Sequence, residues 1–525
     1  MTNFVNELEN TLNSINKKDK TFTENGAIAY KQTKHSINDF AFNLPEMRHQ
    51  DYEYIGEAFS KVFYEEDLEI ACKFFMWIVD VREGAGERNA AKGIMAWIVD
   101  NHPDIMEKLY TLIPEYGRWD MLILLADPQF NSNKELRYLV LETIKNQFIN
   151  DLKNVNTNKN VSLLAKWMPS ENASSKNTRR LARQLQKDLY VTPKNYRKGL
   201  SLLRSKLHVV ECNMSSNTWG DIVYEHVPSK ANLNYSNAFM RHDSERRQNY
   251  LESLKNGETK INAKVLAPYE IIAKYHNSGY YQAIKQYDEA LEQMWKALPQ
   301  FMFNNMLVVR DGSGSMTTQC TGNVSCLDVA TSLAIYAAEH NSKEWKDKFI
   351  TFSSKPEFVD MSKCSSLREK INLCNRYDDC SNTDIYSTMN LILNVAKKNK
   401  YKQSQMPSAI LICSDMAFDA YPGNRYWGIE GYNTPFNYDD TLFEKIQKEY
   451  ANNGYKLPKI VFWNVNARGT TTVPVQENEL GLSLVSGFSA NIFKMVLSEE
   501  LDPYKQLLSI LNSERYKPVE EALQA

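Results

Sequence analysis

The residues best suited to chemistry in this sequence are Asp311-Gly312-Ser313-Gly314-Ser315, with Thr383 and Asp415 further along the chain. Carboxylates and hydroxyls are hard oxygen donors. Small hard cations take octahedral oxygen shells and usually keep some waters, so this donor set suits one divalent ion, Mg²⁺ first, with Mn²⁺ or Ca²⁺ as alternatives. Gly312 and Gly314 let the chain fold tightly around such an ion. An isolated D-x-S-x-S is explained as well by a turn capping a helix. Here the motif follows an apolar strand pattern and precedes a helical one. Thr383 stands just before a second helix and Asp415 just after the strand pattern Ile410-Leu411-Ile412-Cys413-Ser414. Together these favour the metal reading. Asp384 is read as a residue of the helix's first turn, where an acid suits the dipole. No His or Glu occupies a motif position suited to general-base work, so recognition is expected rather than catalysis. Walker, H-E-x-x-H and zinc-deaminase signatures are absent, and a metal-dependent hydrolase is not expected.

A second cluster is basic. Between Lys166 and Lys206 eleven Lys and Arg residues face only Glu171 and Asp188, a local balance of +9. If 176–190 is one helix, Leu181, Leu185 and Leu189 form its apolar stripe, with Lys176, Arg180, Arg183 and Lys187 opposite. Most charged faces are merely solvated, but such faces usually mix signs. The candidate polyanion contacts are Lys176, Arg179, Arg180, Arg183, Lys187, Lys194, Arg197 and Lys198. Phosphate contacts would give salt-sensitive affinity, and Asn195, Tyr190 and Tyr196 are available to unpaired bases, although core or turn packing is the plainer role for the tyrosines.

These clusters need elements to position them. From about 50 to 300 apolar residues recur at helical spacing, as in Ile55, Phe59, Val62 and Phe63, and turn signals such as Glu83-Gly84-Ala85-Gly86 divide the region into short helices. Stacked helical hairpins are expected, without a fixed repeat period. After Phe301 short apolar runs (Met306 to Val309, Lys348 to Phe352, Ala409 to Cys413, Ile460 to Val465) alternate with amphipathic segments. That alternation predicts a mainly parallel sheet covered on both faces. Cys326, Val329, Ala330, Leu333, Ala334 and Ala337 trace one helix face toward it, and Ile385, Met389, Ile392 and Ala396 another. The expected organisation is a polar N-terminal segment at 1–49, a helical domain at 50–300, an α/β domain at 301–500 and a helical segment at 501–525.

The Asp311 motif with Thr383 and Asp415 resembles the metal-ion-dependent adhesion site (MIDAS) of von Willebrand factor A domains, over roughly residues 303 to 500. The resemblance implies a Rossmann-like sheet in which Ser313 and Ser315 ligate the metal directly. Thr383 would bind directly or through water, and Asp311 and Asp415 would act mainly through water. Arg310 departs from the family's apolar strand, which is acceptable if its side chain is exposed at the strand end. A helical half followed by such a domain is similar to the TROVE and Ro ribonucleoprotein family and its relatives of the same layout. That similarity rests on Leu164-Ala165-Lys166-Trp167-Met168-Pro169-Ser170, Asn195-Tyr196-Arg197-Lys198, Tyr116-Gly117-Arg118-Trp119-Asp120, Val227-Pro228-Ser229, Ala238-Phe239 and Val485-Ser486-Gly487-Phe488-Ser489. It implies that residues 50–300 form HEAT-like repeats binding structured or single-stranded small RNA.

Bulk properties fit two soluble domains. The chain has 525 residues, 62 Lys and Arg, 64 Asp and Glu and a formal net charge of -2, so any polyanion binding must be local. No run of about 18 apolar residues suggests a membrane span, and the polar stretch Met1 to Lys20 lacks a signal-peptide core. A cytoplasmic protein with no membrane partner is expected. The eight cysteines contain no C-x-x-C pair and read as reduced thiols, and Cys364, Cys374 and Cys380 lack the His pattern of a zinc site. The leading expectation is an RNA-binding ribonucleoprotein scaffold. The alternative is a metal-dependent adaptor whose partner protein completes the metal shell with an exposed Asp or Glu.

Overall fold

Helical periodicity in the first half becomes helices of ordinary length. Among them are Tyr52–Glu65, Leu68–Val79, Arg88–Asn101, Lys134–Asn156, Lys176–Asp188, Pro193–Lys206, Ser229–His242 and Ser244–Lys255. Several start on side-chain caps: Asp51, Asn133, Ser175 and Thr192 each accept the backbone N–H of the third residue on. Such caps satisfy amides that the first helical turn leaves open. Leu68–Val79 is buried along its whole length from Ala71. Tyr52–Glu65 and Arg88–Asn101 approach closely because Gly93 has no side chain; a Cβ there would sit 2.6 Å from Ile55 Cβ.

The computed structural model describes residues 20–23, 27–157, 159–276, 284–322, 324–352, 356–378, 384–418, 442–465, 482–487, 492–497 and 502–524. The chain divides into two units that interleave in sequence. The helical unit comprises Gln50–Leu266, Glu289–Leu298 and Leu511–Ala525, and the sheet unit Met1–His49, Ala267–Asp288 and Pro299–Ile510. No described helix is long and apolar enough to cross a membrane. All seven described cysteines are free thiols. Cys380 lies outside the described residues.

The sheet unit holds one six-stranded sheet. Its strands are β1 (Met306–Asp311), β2 (Lys348–Phe352), β3 (Phe358–Asp360), β4 (Ala409–Ser414), β5 (Lys459–Asn464) and β6 (Leu482–Ser486). The spatial order is β6-β5-β4-β1-β2-β3, all neighbours parallel except the antiparallel edge strand β3. The four expected strands are present, each within two residues of its expected ends. Met306–Val309 of β1, Ala409–Cys413 of β4 and Ile460–Trp463 of β5 are apolar because helices cover both faces of the sheet, and the polar residues fall at the strand ends. On one face, Ile385, Met389 and Leu393 of helix Ile385–Lys398 and Leu442, Phe443 and Ile446 of helix Leu442–Asn452 join Leu307, Val309, Ile410 and Ile412 in one apolar cluster. Helix Cys326–Glu339, with its six expected face residues fully buried, also packs on β1 and β4.

The segment 1–49, read from sequence as polar, contributes core to the sheet unit. Helix Ser36–Phe42 buries Ile37, Phe40 and Phe42, and the Phe42 carbonyl accepts from Asn464 Nδ2 at 2.8 Å. Likewise Pro268–Tyr275, inside the stretch expected to be all helical domain, packs on helix Cys326–Glu339 of the sheet unit.

Candidate functional site

β1 lies between β4 and β2, so the chain leaves it in one direction and later returns on its other side. In parallel sheets this is where loops part at the strands' carboxyl ends and ligands bind. Register sets Arg310 opposite Cys413, which brings the next residues, Asp311 and Ser414, side by side. Ser414 Oγ donates to Asp311 Oδ2 at 2.5 Å, and the Ser313 amide donates to Asp311 Oδ1 at 2.9 Å. The Ser313 and Ser315 hydroxyl oxygens are 3.0 Å apart.

Asp415, directly after β4, is buried and its Oδ1 accepts from the Ala417 amide at 3.3 Å. Met416 beside it has a φ of 66°, a left-handed conformation that costs a non-glycine residue about 1 kcal/mol. Its amide is held by Ser414 Oγ at 3.1 Å. Burial first, and the Asp415 charge second, push the Asp311 carboxyl well above the ordinary carboxylate range. A buried carboxylate whose proton affinity is raised by a second carboxylate is a place where a cation is stabilising. Every donor present is oxygen, which fits a hard divalent ion. Among the described residues no three of His, Cys, Asp and Glu gather as a metal-holding group. A cation would therefore rest on two carboxylates and hydroxyls. Thr383 lies outside the described residues. Asp384 caps helix Ile385–Lys398, accepting from the Ser387 amide at 2.9 Å.

Arg310 corrects one expectation. Its side chain is fully buried rather than exposed at the strand end. It donates to Asp378 Oδ1 at 2.5 Å and to Thr331 Oγ1 at 2.8 Å, and its guanidinium lies 5.7 Å from the Phe349 ring centre. A Cβ on Gly312 would meet the Tyr377 carbonyl at 3.4 Å and Arg310 Nη2 at 3.7 Å. The pair therefore ties the turn ending in Asp378 against the Asp311 loop. Sequence reasoning missed it because Asp378 is 68 residues away and lies in no motif. Ser414 was also missed, although its place before Asp415 was a usable signal.

On the helical unit, helix Lys176–Asp188 buries Ala182, Leu185 and Gln186. Lys176, Arg183, Lys187, Lys194, Arg197 and Lys198 are exposed. The expected shortage of acid partners is overturned at Arg180, which donates to both Asp127 carboxylate oxygens at 3.0 and 2.5 Å, a partner outside the 166–206 stretch. Arg179 donates to the Ala173 and Ser174 carbonyls, both at 2.7 Å, and Arg197 to Glu171 at 2.6 Å. Tyr196 is buried with its hydroxyl on the Pro169 carbonyl at 2.8 Å. Tyr190 differs: it takes the left-handed turn position after the helix (φ 55°), and its side chain is 90% exposed.

Residues 305–521 match a domain of unknown function (DUF7788), and residues 130–305 match another domain of unknown function (DUF2828). Over 534 aligned residues the sequence is 30% identical to an uncharacterized protein of Acanthamoeba polyphaga mimivirus, a match covering 95% of this chain and 88% of that protein. An alignment of that extent runs through both units, and the chain therefore belongs to the family of this mimivirus protein.

Proposed function

We propose that the sheet unit is a von Willebrand factor A type recognition domain holding one divalent cation at Asp311, Ser313, Ser315, Thr383 and Asp415. The observation that carries this reading is the pair of buried carboxylates at the ends of adjacent parallel strands, with two hydroxyls 3.0 Å apart on the same loop. Ser313 and Ser315 would offer lone pairs directly, while Asp311 and Asp415 orient the hydroxyls and hold waters. Bound there, the ion would leave a position open to a partner's carboxylate or phosphate. Thermal melting with EDTA and with added Mg²⁺ tests the site. Mg²⁺ should raise the melting temperature of the native protein and not of Ser313→Ala. An equal rise in both removes the site from these residues.

A second reading concerns the helical unit: an RNA-binding surface, making the whole chain a ribonucleoprotein scaffold of the Ro type with HEAT-like repeats. It is favoured by six exposed cations on two consecutive helices flanking the exposed Tyr190 ring. Filter binding of small RNA across salt concentrations tests it. Lys176→Glu, Arg183→Glu and Lys187→Glu together should weaken binding and flatten its salt dependence, since each lost phosphate contact removes about 0.7 from the log-log slope for single strands. Arg180 is left in place because Asp127 needs it. Unchanged affinity would end this reading while leaving the cation site standing.

A further inference from the structure

A cleft of about 800 Å³ opens in the helical unit, lined from four places: the short helix Leu164–Trp167, the end of helix Pro193–Lys206 at Arg204, helix Val210–Ser216 with Val209 before it, and the start of helix Ser229–His242 with Pro228 before it. It is separate from the eight basic positions considered above, and its volume lies in the range of small-molecule sites. Its wall brings three cations, Lys166, Arg204 and Lys230, against one acid, Glu211, for a formal balance of 3 − 1 = +2. Glu211 already accepts the Tyr235 hydroxyl at 3.0 Å. The wall also carries the Trp167 indole.

Trp167 is held in place. The Arg118 guanidinium lies over its ring at 4.5 Å, and Arg118 is fixed by Asp120 through bonds of 3.0 and 3.1 Å. Arg118 does not line the cleft, whereas Lys166, 5.7 Å from the centre of the same indole, does. Arg204 gives its donors to the Ala165 carbonyl at 2.9 Å, Ser170 Oγ at 2.8 Å and the Met168 carbonyl at 2.7 Å. It thereby braces the turn that presents Lys166 and Trp167. Lys230 is exposed. A fixed indole beside ammonium groups matches a ligand with a flat aromatic part and an anionic part. An inorganic anion would leave the indole unused, and an apolar ligand would leave the positive balance of the wall unanswered.

We propose that this cleft binds a nucleoside phosphate, its base stacked on Trp167 and its phosphate received by Lys166 and Lys230. The nucleotide is either free or one unit of an RNA strand; in the second case the proposal rests on the RNA reading above. The full-length protein is titrated calorimetrically with AMP, GMP, CMP, UMP, adenosine and inorganic phosphate, and by filter binding with a 12-nucleotide RNA. At least one monophosphate, or the RNA, should bind at least tenfold more weakly to Trp167→Ala and to Lys230→Glu, with Trp167→Phe retaining affinity within a few-fold. Lys230→Glu carries the test if Trp167→Ala does not fold, because Lys230 is exposed. Sensitivity with monophosphates identifies a free nucleotide; sensitivity with the RNA alone identifies a strand. Native affinity for every probe in the folded variants overturns the cleft, and the RNA reading then stands or falls on Lys176, Arg183 and Lys187. Phosphate binding as tightly as the monophosphates overturns the nucleoside assignment, and no binding of any probe overturns the proposal, while the RNA reading is decided separately by small RNA with the Lys176, Arg183 and Lys187 variants.

Discussion

Replacing Arg310 with Met removes a buried charge without leaving a hole. The guanidinium is fully buried, while its partner Asp378 is 16% exposed, so the carboxylate left behind keeps little water. Thr331 Oγ1 also loses a donor at 2.8 Å. Breaking a buried pair from one side costs about 3–5 kcal/mol. For a domain of this size about 1 kcal/mol corresponds to roughly 2–4 °C, so the sheet unit should melt on the order of 10 °C lower. Arg310→Met with Asp378→Asn removes both charges and should recover about half of the loss, about 2 kcal/mol, so the double should be well short of the sum of the singles. Differential scanning calorimetry of the two singles and the double closes the cycle. If Arg310→Met melts within about 2 °C of the native protein, or the double is additive, the reasoning about Arg310 is wrong.

Three other expectations follow. Asp311 binds its proton more tightly in the folded state, so its contribution to stability is present at low pH and lost as pH rises from the ordinary carboxylate range through its raised value. Without a cation the sheet unit should weaken over that window, and the stabilisation given by Mg²⁺ should grow with pH in parallel melts; a gain independent of pH contradicts this. Gly93→Ala drives a Cβ to 2.6 Å from Ile55 Cβ and should destabilise the helical unit by about 1–3 kcal/mol in urea unfolding. Arg515→Ala removes the guanidinium bound to fully buried Asp80 at 2.9 and 3.2 Å, so amide exchange in helix Leu68–Val79 should accelerate by about 100-fold.

What was legible in the sequence was what repeats locally. β1, β4 and β5 read correctly because their apolar runs are short and alternate with amphipathic segments, as covered strands do, and the six small and apolar positions of Cys326–Glu339 gave its face. The edge strand β3 was missed because it is short, Phe358–Asp360, with both end residues exposed. Arg310 was misread because burial of a charge depends on a distant acid, and the same holds for Arg180 with Asp127. Tyr196 fitted its expected packing role, but Tyr190 did not: the turn is made by its backbone, which leaves the ring in water. The two carboxylates at the candidate site were legible from strand ends alone. Their closeness required the β1–β4 register, which no local pattern encodes.

The interleaving of the two units bears on how this chain matures during synthesis. The polypeptide crosses between them five times, after His49, Leu266, Asp288, Leu298 and Ile510. Asp80 emerges from the ribosome early, whereas Arg515 follows 435 residues later, roughly 20–90 s at ~5–20 residues per second. Throughout that interval the helical unit lacks the cation that neutralises its buried carboxylate. It has either to remain open to water around Asp80 or to close only when Arg515 arrives. The stretch from Leu511 thus acts as a latch, and ribosomes that stall before Arg515 should leave a helical half exposed to chaperones and proteases.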